Sequence, residues 1–144
     1  MIHTPDIRYV VALAKTLPEE LGFLPICAYE LARQEQRLHI QRYNDEPCGF
    51  ILTARPTPGR ILKIYQTAIQ YDARRLQHAT QLIRDLEARA TLYDCPGISL
   101  KCAADLAANQ FWKAMGFIPG EIIPGGRKRH RQIIPYAKRL APHS

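Results

Sequence analysis

The chain has 144 residues, 47% hydrophobic and 23% charged, with a formal net charge of +7. That length suits one domain with a sizeable core, and no apolar run approaches the ~18 residues of a membrane span. The opening Met1-Ile2-His3-Thr4-Pro5-Asp6 lacks a signal peptide's pattern, so a cytoplasmic protein is expected, and the basic balance favours an anionic partner: a phosphorylated cofactor, an acidic substrate or nucleic acid.

In chain order, Thr4-Pro5 reads as an N-cap followed by proline at the first helical position. Ile7, Val10, Val11, Ala14 and Leu17 then make an apolar helical stripe, which Pro18 and Gly22 end. A second helix is expected from about Pro25 to Gln36, with Ala28, Leu31 and Ala32 inward and Arg33, Glu35 and Gln36 outward. Leu38-His39-Ile40-Gln41-Arg42 alternates apolar and polar, as a half-buried strand should. Asn44-Asp45-Glu46-Pro47 is a turn signal, and Cys48-Gly49-Phe50-Ile51-Leu52-Thr53 returns as the second strand of a hairpin.

The chain is organised around the stretch from Ile61 to Ala90. Ile61 to Ile69 is short, β-branched and aromatic, which predicts a buried strand. A basic turn from Gln70 to Ala79 follows, and from Thr80 the apolar positions Leu82, Ile83, Leu86 and Ala90 recur with Ala79 at helical spacing. Strand, basic turn and helix together aim free backbone N–H groups at a bound anion, so the stretch reads as a pyrophosphate cradle. Asp94-Cys95-Pro96-Gly97 is then a loop and Ile98-Ser99-Leu100-Lys101-Cys102 a further strand. A helix starting at Ala104 or Asp105 carries Ala107, Ala108, Phe111, Trp112, Ala114 and Met115 and is closed by Gly116. The remainder is β-like but broken by Pro119-Gly120 and Pro124-Gly125-Gly126 before a basic run reaches Gln132-Ile133-Ile134-Pro135-Tyr136. One mixed α/β (α+β) domain over residues 1–144 follows, without repeats or linkers.

Two motifs here resemble those of the GNAT superfamily of N-acetyltransferases. Arg74-Arg75-Leu76-Gln77-His78-Ala79 is similar to that family's Gln/Arg-x-x-Gly-x-Gly/Ala turn, and Asn109-Gln110-Phe111-Trp112-Lys113-Ala114-Met115-Gly116-Phe117 to its late helix leading to Gly-Phe. The order of elements fits as well, with the best-matched core at 61–117 and a basic late hairpin at 118–140. The resemblance implies a mixed central sheet flanked by helices, acetyl-coenzyme A as co-substrate, and direct attack by an amine acceptor in a ternary complex. It implies that pyrophosphate lies on amides from about Arg75 to Thr80, through Leu76, Gln77, His78 and Ala79. The pantetheine arm would pair with Ala68, Ile69 and Gln70. Arg74 and Arg75 suit charge-assisted bonds to phosphate oxygens.

Two departures from the family pattern bear on mechanism. Gln77 stands where the family's first motif glycine does, so a side chain there points away, bonds a phosphate or blocks the cradle. Trp112 stands where many relatives keep a tyrosine that protonates the leaving thiolate, which an indole N–H cannot do. The central strand offers no carboxylate. Tyr65 and Gln66 point to opposite faces, and Tyr65 is the catalytic candidate, with core packing as its other reading.

Other residues carry paired readings. Asn109 either bonds the pantetheine arm or caps and packs locally. Trp112 packs against the sheet or also walls the acyl channel. His78 is a solvent-facing helix-start residue or a general base. Cys102 is a conceivable nucleophile without a histidine partner in sequence. Cys27, Cys48, Cys95 and Cys102 form no Cys-x-x-Cys pair, and with His3 and His143 at the chain's ends no metal site is expected. Arg127, Lys128, Arg129 and Arg131 make either a solvated loop or a surface for an anionic acceptor or nucleic acid. A nucleic-acid-binding or nucleic-acid-modifying protein of the same fold with lost or altered acetyl-coenzyme A use is therefore the alternative function, and exposed late strands leave room for a homodimer.

Overall fold

The computed structural model describes residues 4–17, 21, 24–69, 75–125 and 131–141. They fall into two compact units, Met1–Arg55 with Tyr65–Leu86 and Pro56–Ile64 with Glu87–Ser144.

In the first unit, α1 (Pro5–Lys15) starts where its cap dictates: Thr4 Oγ1 accepts the Ile7 N–H at 3.3 Å and Pro5 opens the helix. It buries Ile7, Val10 and Ala14. The second helix, α2 (Ile26–Gln34), turns Tyr29 and Ala32 inward, whereas Leu31, expected inside, is 52% exposed. The inward face is set by a partner remote in sequence: the Tyr29 hydroxyl donates to Gln66 Oε1 at 2.7 Å, and Gln66 Nε2 donates to the Leu21 carbonyl at 3.0 Å. Both polar side chains are thereby satisfied while buried.

The hairpin of β1 (Leu38–Tyr43) and β2 (Glu46–Thr53) closes through Asn44 and Asp45, at φ 52° and 65°. Two successive left-handed residues match the twist of the flanking strands. Tyr43 therefore pairs directly with Glu46, and β2 begins earlier than the predicted Cys48. A register shift between Gln41 and Arg42 sets Arg42 opposite Pro47, where a missing N–H is tolerated. Phe50 and Leu52 of β2 and Ala68 of β3 (Leu62–Ile69) complete the buried cluster with the α1 and α2 residues.

Glu35 ties the end of α2 to the end of β2. Arg37 donates from Nε to Glu35 Oε1 at 3.0 Å and from Nη1 to the Thr53 carbonyl at 2.9 Å, and Arg55 also bonds Glu35. The hydrogen bond from Arg37, with a further one from Arg55, holds the Glu35 carboxyl below its usual range against the opposing effect of burial. A lowered carboxyl pKa contributes stability above the unfolded-state pKa that is lost as pH falls through the folded-state value. The Tm advantage of the wild type over Glu35→Gln should thus be present at neutral pH and shrink as the pH falls below the ordinary carboxylate range, read by thermal denaturation. An advantage independent of pH would show that the pair adds no charge-linked stability.

In the second unit, β3 starts parallel to β4 (Gly97–Ala103), with Leu62 beside Ile98 and Lys63 beside Ser99. Along its whole length β4 runs antiparallel to β7 (Gln132–Arg139), from Gly97–Arg139 to Ala103–Ile133. Gly97 is required there, since a Cβ would lie 2.7 Å from the Lys138 carbonyl oxygen. With β4 on one edge of β7, the short strands β5 (Ile118–Pro119) and β6 (Ile123–Pro124) share the other. The hydrogen-bonded order is β1-β2-β3-β4-β7-β5, with β6 also on β7, giving the expected mixed α/β sheet.

The two remaining helices depart from prediction at their starts. The third, α3 (Arg75–Leu92), begins before the predicted Thr80 and buries Ala79, Leu82, Ile83, Leu86 and Ala90 as the spacing implied. The fourth, α4 (Ala108–Ala114), begins later than Ala104 or Asp105 because the preceding carbonyls are engaged by the Asn109 side chain. Its end is as predicted. Gly116, at φ 91°, donates to Lys113 O and Phe117 to Trp112 O, a Schellman closure. Lys138 Nζ donates to the Met115 carbonyl at 2.8 Å, favourable at the negative end of α4, and pairs with Glu87 at 2.6 Å.

Candidate active site

The strand-turn-helix stretch sits at the C-terminal end of β3. The burial of Leu62, Ile64, Gln66 and Ala68 alternates with exposed Lys63 and Tyr65, as a pleated strand requires. Tyr65, the catalytic candidate, is 59% exposed on the face opposite Gln66. Gln66 is committed to Tyr29 and Leu21 and is unavailable to a substrate without breaking that pair. The Ala68 carbonyl oxygen faces Gly49 of β2, where a Cβ would come within 2.7 Å of it. Because consecutive residues of a strand aim their backbone groups to alternate edges, Thr67 and Ile69 present theirs to the edge away from β2.

Gln70 and Arg74 lie outside the described residues, as do Arg127, Lys128 and Arg129. α3 is described from Arg75, and its first described turn runs through Leu76 and Gln77 to His78. Ala79, which is buried, and Thr80 fall past that turn, so their N–H groups enter the helical ladder. The expected row of phosphate donors is shortened at its far end. Gln77 is exposed, and the His78 ring packs against Tyr43 at the end of β1, with centroids 4.8 Å apart and planes at 48°. No sequence signal marked Tyr43, because the hairpin meets α3 only in three dimensions.

The second unit holds the late motif. Asn109 is only 7% exposed. Its Nδ2 donates to Ala103 O at 2.8 Å and Leu106 O at 2.7 Å, and its Oδ1 accepts the Tyr136 hydroxyl at 2.7 Å. Both amide hydrogens are thus used on the β4–α4 loop, leaving a pantetheine arm little to bond. Trp112 is 5% exposed and packs edge-on between Phe111, at 5.1 Å, and Phe117, at 5.3 Å. That setting leaves the indole little surface for a ligand.

Burial pushes the Cys102 thiol up, against a smaller lowering by Arg131, and the S–H faces the Ala103 carbonyl at 3.6 Å. Its thiolate is disfavoured, as expected of a structural rather than a nucleophilic cysteine. Arg131 Nε lies 3.8 Å from Asp105, with the arginine side chain 17% exposed. Gly125 N–H bonds Arg131 O at 2.6 Å. A cavity of about 400 Å³ lined by Thr91, Asp94, Cys95, Pro96, Arg139, Leu140 and Ala141 contains none of the predicted site residues. Among the described residues no group of three or more His, Cys, Asp and Glu could hold a metal ion, and no helix is long and apolar enough to cross a membrane.

A family model described as an acetyltransferase (GNAT) domain matches residues 23–140. Solved structures share the fold over nearly the whole chain. Ard1 from Thermoplasma volcanium superposes with a TM-score of 0.81 at 16% identity, covering 98% of this chain and 96% of that one. An aminoglycoside 6'-N-acetyltransferase complexed with coenzyme A gives a TM-score of 0.77 at 17% identity, covering 96% and 93%. The ribosomal-protein-S18-alanine N-acetyltransferase from Escherichia coli gives 0.71 at 17% identity, covering 97% and 91%. No curated protein sequence matches the chain.

Proposed function

The chain belongs to the acetyltransferase (GNAT) family, and we propose that it moves an acetyl group from acetyl-coenzyme A to an amine by direct attack in a ternary complex. The observation that carries this is the family match over residues 23–140, supported by the order of β3 followed by α3. In this reading the amides at the start of α3 and the positive end of the helix stabilise a pyrophosphate. Backbone groups of Thr67 and Ile69 take the pantetheine arm as an added strand would be taken.

In the reaction the amine nitrogen attacks the thioester carbonyl, the carbon–sulfur bond breaks, the thiolate gains a proton and the new amide nitrogen loses one. Positioning supplies most of the acceleration. Tyr65, exposed on β3, is the side chain we assign to the proton steps, directly or through water. The acceptors named for the structural neighbours, aminoglycosides and an alanine of ribosomal protein S18, define the first amines to try. We place the activity in the cytoplasm, where thiols such as Cys27, Cys95 and Cys102 stay reduced.

Calorimetric titration with acetyl-coenzyme A, with dephosphorylated and hydrolysed analogues as controls, tests the donor. Micromolar binding supports the proposal, and no binding at millimolar ligand by folded protein ends it. With an accepted amine in hand, Tyr65→Phe should lower kcat about a hundredfold and leave coenzyme affinity unchanged. An unaltered kcat would remove Tyr65 from the chemistry.

A further inference from the structure

The contact between the hairpin and α3 extends the site beyond the pyrophosphate. We propose that Tyr43 and His78 form a stacking platform for the adenine of the bound coenzyme. This rests on the acetyl-coenzyme A reading above and adds to it a residue outside both sequence motifs. Tyr43 is the last residue of β1 and is fixed in register against Glu46 by the tight turn at Asn44 and Asp45. Its ring lies 4.8 Å from that of His78, yet Tyr43 remains 44% exposed. The pair therefore offers an outer aromatic face to solvent.

Position gives that face a ligand. His78 is in the first turn of α3, roughly 4.5 Å along the axis from Arg75, so the rings flank the amides that hold the pyrophosphate. In coenzyme A the adenosine is joined to that same pyrophosphate, and a purine has the flat π-face that an exposed tyrosine stacks against. A tilted Tyr–His pair that served only to pack the hairpin on the helix would predict no preference among ligands that share the pyrophosphate-side chemistry and differ in the base.

The experiment compares coenzyme A with an abasic analogue, which keeps the pantetheine, the pyrophosphate and the 3′-phosphoribose and lacks only the adenine, by calorimetry on wild type, Tyr43→Ala and Tyr43→Phe. Tyr43→Ala should weaken coenzyme A about tenfold and leave the affinity for the abasic analogue as it was, and Tyr43→Phe, which keeps the ring, should regain most of the loss. Equal losses for both ligands would make the pair a purely structural support of the helix start and overturn the proposal, as would an unchanged affinity for coenzyme A in Tyr43→Ala. Failure of the wild type to bind either ligand is a different result, since it sinks the coenzyme reading itself.

Discussion

Asn109→Ala should cost about 3 kcal/mol, because it removes two side-chain hydrogen bonds and strands a buried hydroxyl. The Ala103 and Leu106 carbonyls each lose one donor and keep a backbone N–H, whereas the hydroxyl of Tyr136, a residue only 1% exposed, loses its acceptor. Tyr136→Phe in the same background should restore about 1 kcal/mol by removing the stranded hydroxyl, although alone it should destabilise. Denaturant melts of the four proteins in the cycle read this directly. Strictly additive losses would show that the hydroxyl and the amide are not coupled.

Trp112→Ala is expected to cost more, about 4 kcal/mol, as deletion of a buried indole generally does. The residue does two things at once. It fills the space between Phe111 and Phe117, and its carbonyl accepts the Phe117 N–H that closes α4. The apolar contact between Trp112 and Phe117 accompanies that closure, so truncation also loosens the helix end. In a chain of this size the midpoint should fall by roughly 10 °C. A drop of only a few degrees would mean that the neighbouring rings collapse into the vacated space.

What was legible in the sequence was mostly local. The Thr4-Pro5 start, the Gly116 stop and the periodicity of β3 and α3 each depend on residues within a turn of one another. What was missed depends on partners far along the chain. Tyr29 displaces Leu31 from the inner face of α2 because Gln66, on β3, needs a buried donor. The start of α4 slips to Ala108 because one amide side chain occupies carbonyls that would otherwise receive helical bonds. The stretch from β3 to α3 illustrates both cases. The periodicities of the strand and the helix are legible in the sequence, whereas the helix is already formed at Arg75, ahead of the Thr80 that the apolar spacing suggests. Asn109 fits two readings in the sequence, and its three partners show how its hydrogens are spent.

The short strands on the outer side of β7 also govern how the protein behaves in crowded solution. Ile118, 71% exposed, and Ile122 would make an open edge there adhesive. Proline cannot donate a backbone hydrogen bond, and Pro119 and Pro124 each occupy one of the two positions in β5 and β6. An incoming strand finds no continuous ladder to template on, so the apolar side chains are displayed without an invitation to fibre-like stacking. Self-association through this edge is left to side-chain contact alone, which is weaker and more readily reversed.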